Sequence, residues 1–61
     1  MKRYQIIVFD WESGHDERQE CSTLSEARAA ARIYRREHEG VGVYDFKLGA
    51  IRETIGRFPP I

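Results

Sequence analysis

The sequence predicts an α+β fold in which one helix packs on one face of a four-stranded antiparallel sheet. Residues 4–11 are dense in β-branched and aromatic residues, a helix-capping pattern begins at Thr23, and two short strand-like segments follow Gly40. The element order is therefore strand, strand, helix, strand, strand. With an antiparallel hairpin on each side of the helix, the simplest spatial order is 2-1-3-4, and 2-1-4-3 is the alternative.

The first hairpin is predicted from its composition and its turn. Residues 4–11 form the first strand, and Ser13 and Gly14 supply the residue types that hairpin turns require. Residues 17–22 are polar, which is typical of an exposed edge strand that returns beside the first.

The helix begins at a capping box. Thr23 can accept a hydrogen bond from a backbone N–H of the first turn, while Glu26 reaches back to the cap. An alanine- and arginine-rich segment continues the helix, and Gly40, which follows Glu39, is expected to end it.

The second hairpin follows directly. Residues 41–47 are predicted as the third strand, Leu48 and Gly49 as a turn, and residues 50–55 as the fourth strand. The pair Pro59 and Pro60 excludes further ladder pairing.

Length and composition limit the class of protein. A chain of 61 residues is expected to form a single domain over residues 1–61, and the lone Cys21 offers no internal disulfide. We therefore expect a cytoplasmic protein, and the sequence contains no apolar stretch of signal-peptide or membrane-spanning length. Ten basic and ten acidic residues leave no net charge, so a nucleic-acid ligand would require a local basic patch.

The helix presents two stripes. The apolar stripe is expected to pack on the sheet and contains Leu24, Ala27, Ala30, Ala31, Tyr34 and His38. A neighbouring stripe contains Arg28, Arg32, Arg35 and Arg36. Its like charges at i,i+4 destabilise an isolated helix slightly, which would suit an anionic partner. A solvated face partly neutralised by Glu39 is the other interpretation, and the sequence leaves both open.

Aromatic residues define a second candidate surface. A single helix covers only one face of the sheet, so either Phe9 with Trp11 or Tyr44 with Phe46 is expected on the open side. Such a patch favours an interface with a partner protein or with a second copy of the chain in a homodimer.

No catalytic or cofactor pattern is present in the sequence. No spacing links Cys21 to His15 or His38 as a nucleophile and its base, and the adjacent residues His15, Asp16 and Glu17 do not have metal-ligand spacing. The glycines form neither a phosphate loop nor a dinucleotide fingerprint. We therefore expect no enzyme activity, no metal and no cofactor.

The layout resembles that of very short accessory proteins of phages and mobile elements, including some anti-CRISPR inhibitors. The resemblance rests on one capped helix, beginning with residues 23–28, set against a small antiparallel sheet. It implies a protein that occupies a surface on a larger host or defence protein or nucleoprotein.

These observations favour a non-enzymatic protein-interaction module, with Arg28, Arg32, Arg35, Arg36, Phe9 and Trp11 as the partner-binding residues. An inhibitor of a host or defence complex is the specific form of this hypothesis. The alternative is a nucleic-acid-binding regulator that uses the helix arginines together with Lys2 and Arg3.

Overall fold

The computed structural model describes residues 2–61 and confirms the predicted α+β class and its ββαββ layout. The elements are β1 (Tyr4–Asp10), β2 (Gly14–Cys21), α1 (Leu24–Arg35), β3 (Gly40–Asp45) and β4 (Ala50–Gly56). The four strands form one antiparallel sheet in the order β2-β1-β3-β4, which excludes the alternative 2-1-4-3.

Glycines with positive φ complete both hairpins. Asp10 pairs with Gly14 across a three-residue connection, and the φ of 75° at Gly14 lies in the left-handed region that favours glycine. The second strand therefore starts at Gly14, three residues before the predicted boundary. The β3–β4 connection spans residues 46–49 and ends at Gly49, whose φ is 74°.

The predicted capping box is confirmed. The Thr23 hydroxyl accepts a 3.1 Å hydrogen bond from the Glu26 backbone N–H, and a Glu26 carboxylate oxygen accepts from the backbone N–H groups of Thr23 and Ser22. These bonds satisfy donors that the first helical turn leaves without partners. They also fix where the chain leaves β2 and enters α1.

Replacing Thr23 with alanine is expected to lower the free energy of unfolding by about 1 kcal/mol, because the Glu26 N–H loses its acceptor. Urea denaturation of the purified variant measures this change. Ser25→Ala is the matched control, since Ser25 is exposed within the helix, and its effect should stay within about 0.5 kcal/mol. Equal losses in both variants would contradict the assigned cap.

The helix ends at Arg35, earlier than the glycine at position 40 suggested. Asp10, at the end of β1, accepts hydrogen bonds from His38 Nδ1 at 2.6 Å and from the Glu39 backbone N–H at 3.1 Å. These bonds hold residues 38 and 39 against β1, so the chain leaves the helical path before Gly40. The prediction that His38 continues the helical stripe was therefore wrong, although its ring still lies beside that of Tyr34.

No helix within residues 2–61 is long and apolar enough to cross a membrane.

The main core lies between α1 and the sheet. The rest of the predicted apolar stripe is confirmed, because Ala27, Ala30 and Ala31 are buried and Leu24 and Tyr34 pack against them. The sheet contributes Tyr4, Ile6, Val8, Cys21, Val41 and Val43. Small alanines on the helix allow its axis to approach these larger strand side chains closely.

The C-terminal strap, which we define as residues 57–61, crosses the sheet face that α1 leaves uncovered. The Phe58 ring lies over Gly42, where an added Cβ would come within 2.7 Å of a ring carbon. His15 donates an Nε2–H hydrogen bond of 2.7 Å to the Pro59 carbonyl, and its ring centroid lies 5.0 Å from those of both Phe9 and Phe58. The chain itself therefore covers this face of the sheet around Phe9, His15 and Gly42.

Candidate functional site

The zero net charge conceals a separation of charge between the two edges of the sheet. The exposed edge strand β2 contains Asp16, Glu17 and Glu20 with a single arginine, Arg18, which pairs with Asp16. The opposite edge is formed by β4 and the flank of α1 that faces it. The predicted arginines of the helix lie on or next to this flank, so the two edges carry opposite charge.

Arg28 joins the helix to β4. Its guanidinium Nε donates to both carboxylate oxygens of Glu53, at 2.9 and 3.2 Å, and its Nη2 donates to the second of them. The hydrogen bond from Arg28 lowers the pKa of Glu53. Glu53 keeps its charge at neutral pH and partly neutralises this end of the arginine row.

Arg32 lies one turn further along α1 and borders the same groove as Arg28. It makes no ion pair with any residue between 2 and 61. Arg35 continues the row: its Nη1 donates to the His38 carbonyl at 3.3 Å, and its side chain lies against Gly56 at the end of β4. The fourth predicted arginine, Arg36, is the exposed C-cap residue of α1.

We call these four arginines, Arg28, Arg32, Arg35 and Arg36, the basic flank. The structure brings Arg28 and Arg32 together at the groove between α1 and β4, whereas Arg35 and Arg36 border a shallower depression at the C-terminal end of the helix together with Arg57. Arg28 and Arg35 are each held by a contact outside the helix, with Glu53 and with the His38 carbonyl, and both interpretations of the row, a binding surface and a solvated face, stay predictions.

The groove between α1 and β4 has an apolar floor beneath these charges. Ala31, Val41, Val43 and Ile55 line it, and Arg28, Arg32, Glu53 and Thr54 form its polar margin. Ile55 is 37% exposed although it points to the helix side of the sheet. The helix therefore leaves the outer edge of the core uncovered next to β4.

The two predicted aromatic residues do not share a surface. Phe9 is only 8% exposed and the His15 ring lies against it, so Phe9 with Trp11, one of the two aromatic sets expected on the open face, does not form such a surface. Trp11 is 73% exposed in the β1–β2 connection. Its backbone N–H donates to Glu39, and the Arg57 guanidinium lies 6.0 Å from its ring centroid.

The other aromatic set retains some exposed surface at the β3–β4 hairpin. The rings of Tyr44 and Phe46 contact each other edge to face at 5.2 Å, and Phe46 and Leu48 are exposed. A homodimer through an open aromatic patch stays a prediction.

The other potentially reactive side chains make contacts within the fold. The hydrogen bond from His38 lowers the pKa of Asp10, so the Asp10 carboxylate is ionised at neutral pH and anchors the end of the helix. Cys21 is buried in the core. In the part of the chain that the structure describes, no group of three or more His, Cys, Asp or Glu side chains could hold a metal ion.

Sequence reasoning missed Glu53, the groove and the strap. One signal for the strap was present: Gly40 and Gly42 are two glycines within one strand, a pattern that indicates close approach by another segment of backbone. No local pattern indicated that Arg28 would meet Glu53, since 25 residues separate them.

Comparison of the chain with models of protein families, with curated proteins and with solved structures found no match.

Proposed function

We propose that this chain is a non-enzymatic binding module that docks an acidic surface of a partner protein on its basic flank. The observation that carries the proposal is that Arg28 and Arg32 border an apolar groove beside the β4 edge of the sheet, which no further strand within residues 2–61 covers. Occupation of a partner's surface in this way is also how a small inhibitor of a larger complex would act.

Charge and apolar surface act together at this site. A single exposed ion pair contributes little, because water and salt screen it. The guanidinium groups of Arg28 and Arg32 lie next to an apolar groove, so a partner that covers the groove also removes water from these two charges. Arginine is the basic residue most suited to such interfaces, because its planar guanidinium pairs with carboxylates through two parallel hydrogen bonds.

Arg32 is the residue through which the proposal is best tested, because it has no ion-pair partner within residues 2–61 and borders the groove. Tagged protein would be used to capture binders from a nuclease-treated lysate of the organism that encodes it. We expect Arg32→Glu to lose at least about 90% of the retained partner, since reversal converts an attraction into a repulsion.

Arg18→Glu is the matched control, because it makes the same change on the opposite, acidic edge of the sheet. The control should retain the partner, and circular dichroism should show that both variants keep the wild-type fold. Equal retention by wild-type protein and by folded Arg32→Glu would contradict the proposal.

Nucleic acid is the second candidate ligand, and one observation favours it. The exposed Trp11 ring lies beside Arg57 at the end of the molecule where Arg35 and Arg36 also lie, and stacking on an aromatic ring between cations is how many proteins hold single strands. Nucleic acid ranks second as a ligand because four acidic residues surround Trp11 and would repel phosphate: Asp10, Glu12, Glu37 and Glu39.

Trp11 is the only tryptophan of the chain, so its fluorescence reports directly on this candidate. Titration with a single-stranded oligothymidylate at low and high salt would show quenching with an affinity that falls steeply with salt if phosphates are bound. Unchanged fluorescence would exclude stacking on Trp11.

A further inference from the structure

We infer that the basic flank recognises an extended, acidic segment of the partner, which adds to the sheet as a fifth strand along β4. This inference rests on the proposed function and specifies its binding mode. A strand added at an edge gains affinity from main-chain hydrogen bonds and specificity from the side chains that it places beside the existing ones.

The position of β4 provides the backbone for such an addition. Among residues 2–61 it pairs with β3 alone, so its other side carries N–H and C=O groups that no strand of this part of the chain binds. Residues 53–55 pair in regular register with residues 43–41 of β3, and the single irregularity of this ladder lies beyond them, between Val43 and Tyr44. The regular part of the edge lies next to the groove.

Charge selects β4 over the other free edge. An acidic segment that approached β2 would meet Asp16, Glu17 and Glu20, whereas along β4 it meets Arg28 and Arg32. Arg28 is partly neutralised by Glu53, whereas Arg32 borders the same groove and makes no ion pair within residues 2–61. An acidic occupant is therefore attracted to one edge and repelled by the other.

The groove can hold every second side chain of the added strand. Successive residues of a strand point to opposite faces, so every second residue of the occupant would lie on the helix side of the sheet. One apolar residue there would cover Ile55, the groove residue whose apolar side chain is exposed, and an acidic residue two positions away would reach Arg32. In the recognised segment, the residues on the helix side are therefore apolar and acidic in turn, two positions apart.

A synthetic peptide tests this binding mode on the intact protein. The probe has seven residues: threonine at the odd positions, and glutamate, valine and glutamate at the even ones. Two further versions carry backbone N-methyl groups on either the odd or the even residues. In antiparallel addition, the direction that gives the more stable pairing, only one set of N–H groups faces β4, so one methylated version should lose binding at least about tenfold while the other retains it.

Two-dimensional amide NMR with labelled protein would measure both affinity and location. We expect the unmethylated peptide to shift the amide signals of residues 53–56, and a version with lysine in place of glutamate to bind at least about tenfold more weakly. Arg32→Glu should weaken binding of the glutamate peptide, whereas Arg18→Glu should leave it unchanged.

The outcomes separate the inference from the proposed function. If both methylated peptides bind as the parent does, or if the shifts map away from β4, strand addition is wrong, while charge-dependent binding still supports an acidic partner. If the parent peptide does not bind at ~2 mM, near the weakest affinity such a contact would have, strand addition is also overturned. The lysate experiment with Arg32→Glu then decides separately whether the basic flank binds a protein.

Discussion

Replacing Asp45 with asparagine is expected to lower the thermal unfolding midpoint by on the order of 10 °C. The Asp45 side chain is 0% exposed at the end of β3. Its two oxygens accept hydrogen bonds from the side chains of Arg3 and Arg52 and from the backbone N–H groups of Lys47 and Leu48. Asparagine has only one acceptor oxygen, and its NH₂ group would face other donors.

The pH dependence of stability gives a second measure of the same group. Hydrogen bonds from Arg3 are the main cause that lowers the pKa of Asp45 from its ordinary value of 3.8 to about 2. A carboxyl group whose pKa is depressed in the folded state stabilises that state above its unfolded pKa, and the contribution is lost as pH falls through the folded pKa. Wild-type protein should therefore lose stability between about pH 4 and pH 2, and Asp45→Asn should lose less over this interval.

Asp16→Asn is the matched control for this prediction. Asp16 also pairs with an arginine, Arg18, at 2.7 Å, but its side chain is mostly exposed on the β2 edge. We expect its midpoint to change by less than about 3 °C, because exposed ion pairs contribute little. Thermal melts followed by circular dichroism compare the two variants, and similar shifts would show that burial of Asp45 does not determine its contribution.

Gly40→Ala is expected to destabilise the protein by about 3 kcal/mol and to detach the C-terminal strap. A Cβ at Gly40 would overlap the backbone carbonyl oxygen of Arg57, which cannot rotate away as the end of a side chain could. The Arg57 backbone would have to move away from this Cβ, and that movement would strain the hydrogen bond from the Arg57 N–H to the Glu39 carbonyl. Once the strap moves, Ile7 and Phe9 lose their cover.

Denaturant unfolding and a local NMR readout test this prediction together. The contact between the Phe58 ring and Gly42 should give an NOE in wild-type protein that disappears in Gly40→Ala. Gly14→Ala is the comparison, because a Cβ there meets no atom within 4 Å and only the left-handed backbone at φ 75° is strained, at a cost of about 1 kcal/mol. Retention of both the NOE and wild-type stability in Gly40→Ala would contradict the close approach of the strap.

The candidate site was only partly predictable from the sequence. Helical spacing placed Arg28, Arg32 and Arg36 along one side of α1, because residues four apart on a helix are neighbours regardless of what surrounds the helix. The same reasoning could not show what that side faces. Glu53 and Ile55 reach the arginines only because the sheet order places β4 beside α1.

The sequence by itself determined the local elements of this protein and their order. The Thr23–Glu26 capping box, the turn glycine Gly14 and the apolar residues of β1 act through bonds and torsions within a few residues, so their consequences can be deduced without a partner segment. Only the tertiary structure decided where α1 ends, which edge of the sheet is basic and what covers Phe9. Each of these depends on groups distant in sequence, such as Asp10 with His38 or Phe58 with Gly42, whose meeting is fixed by chain topology and close packing.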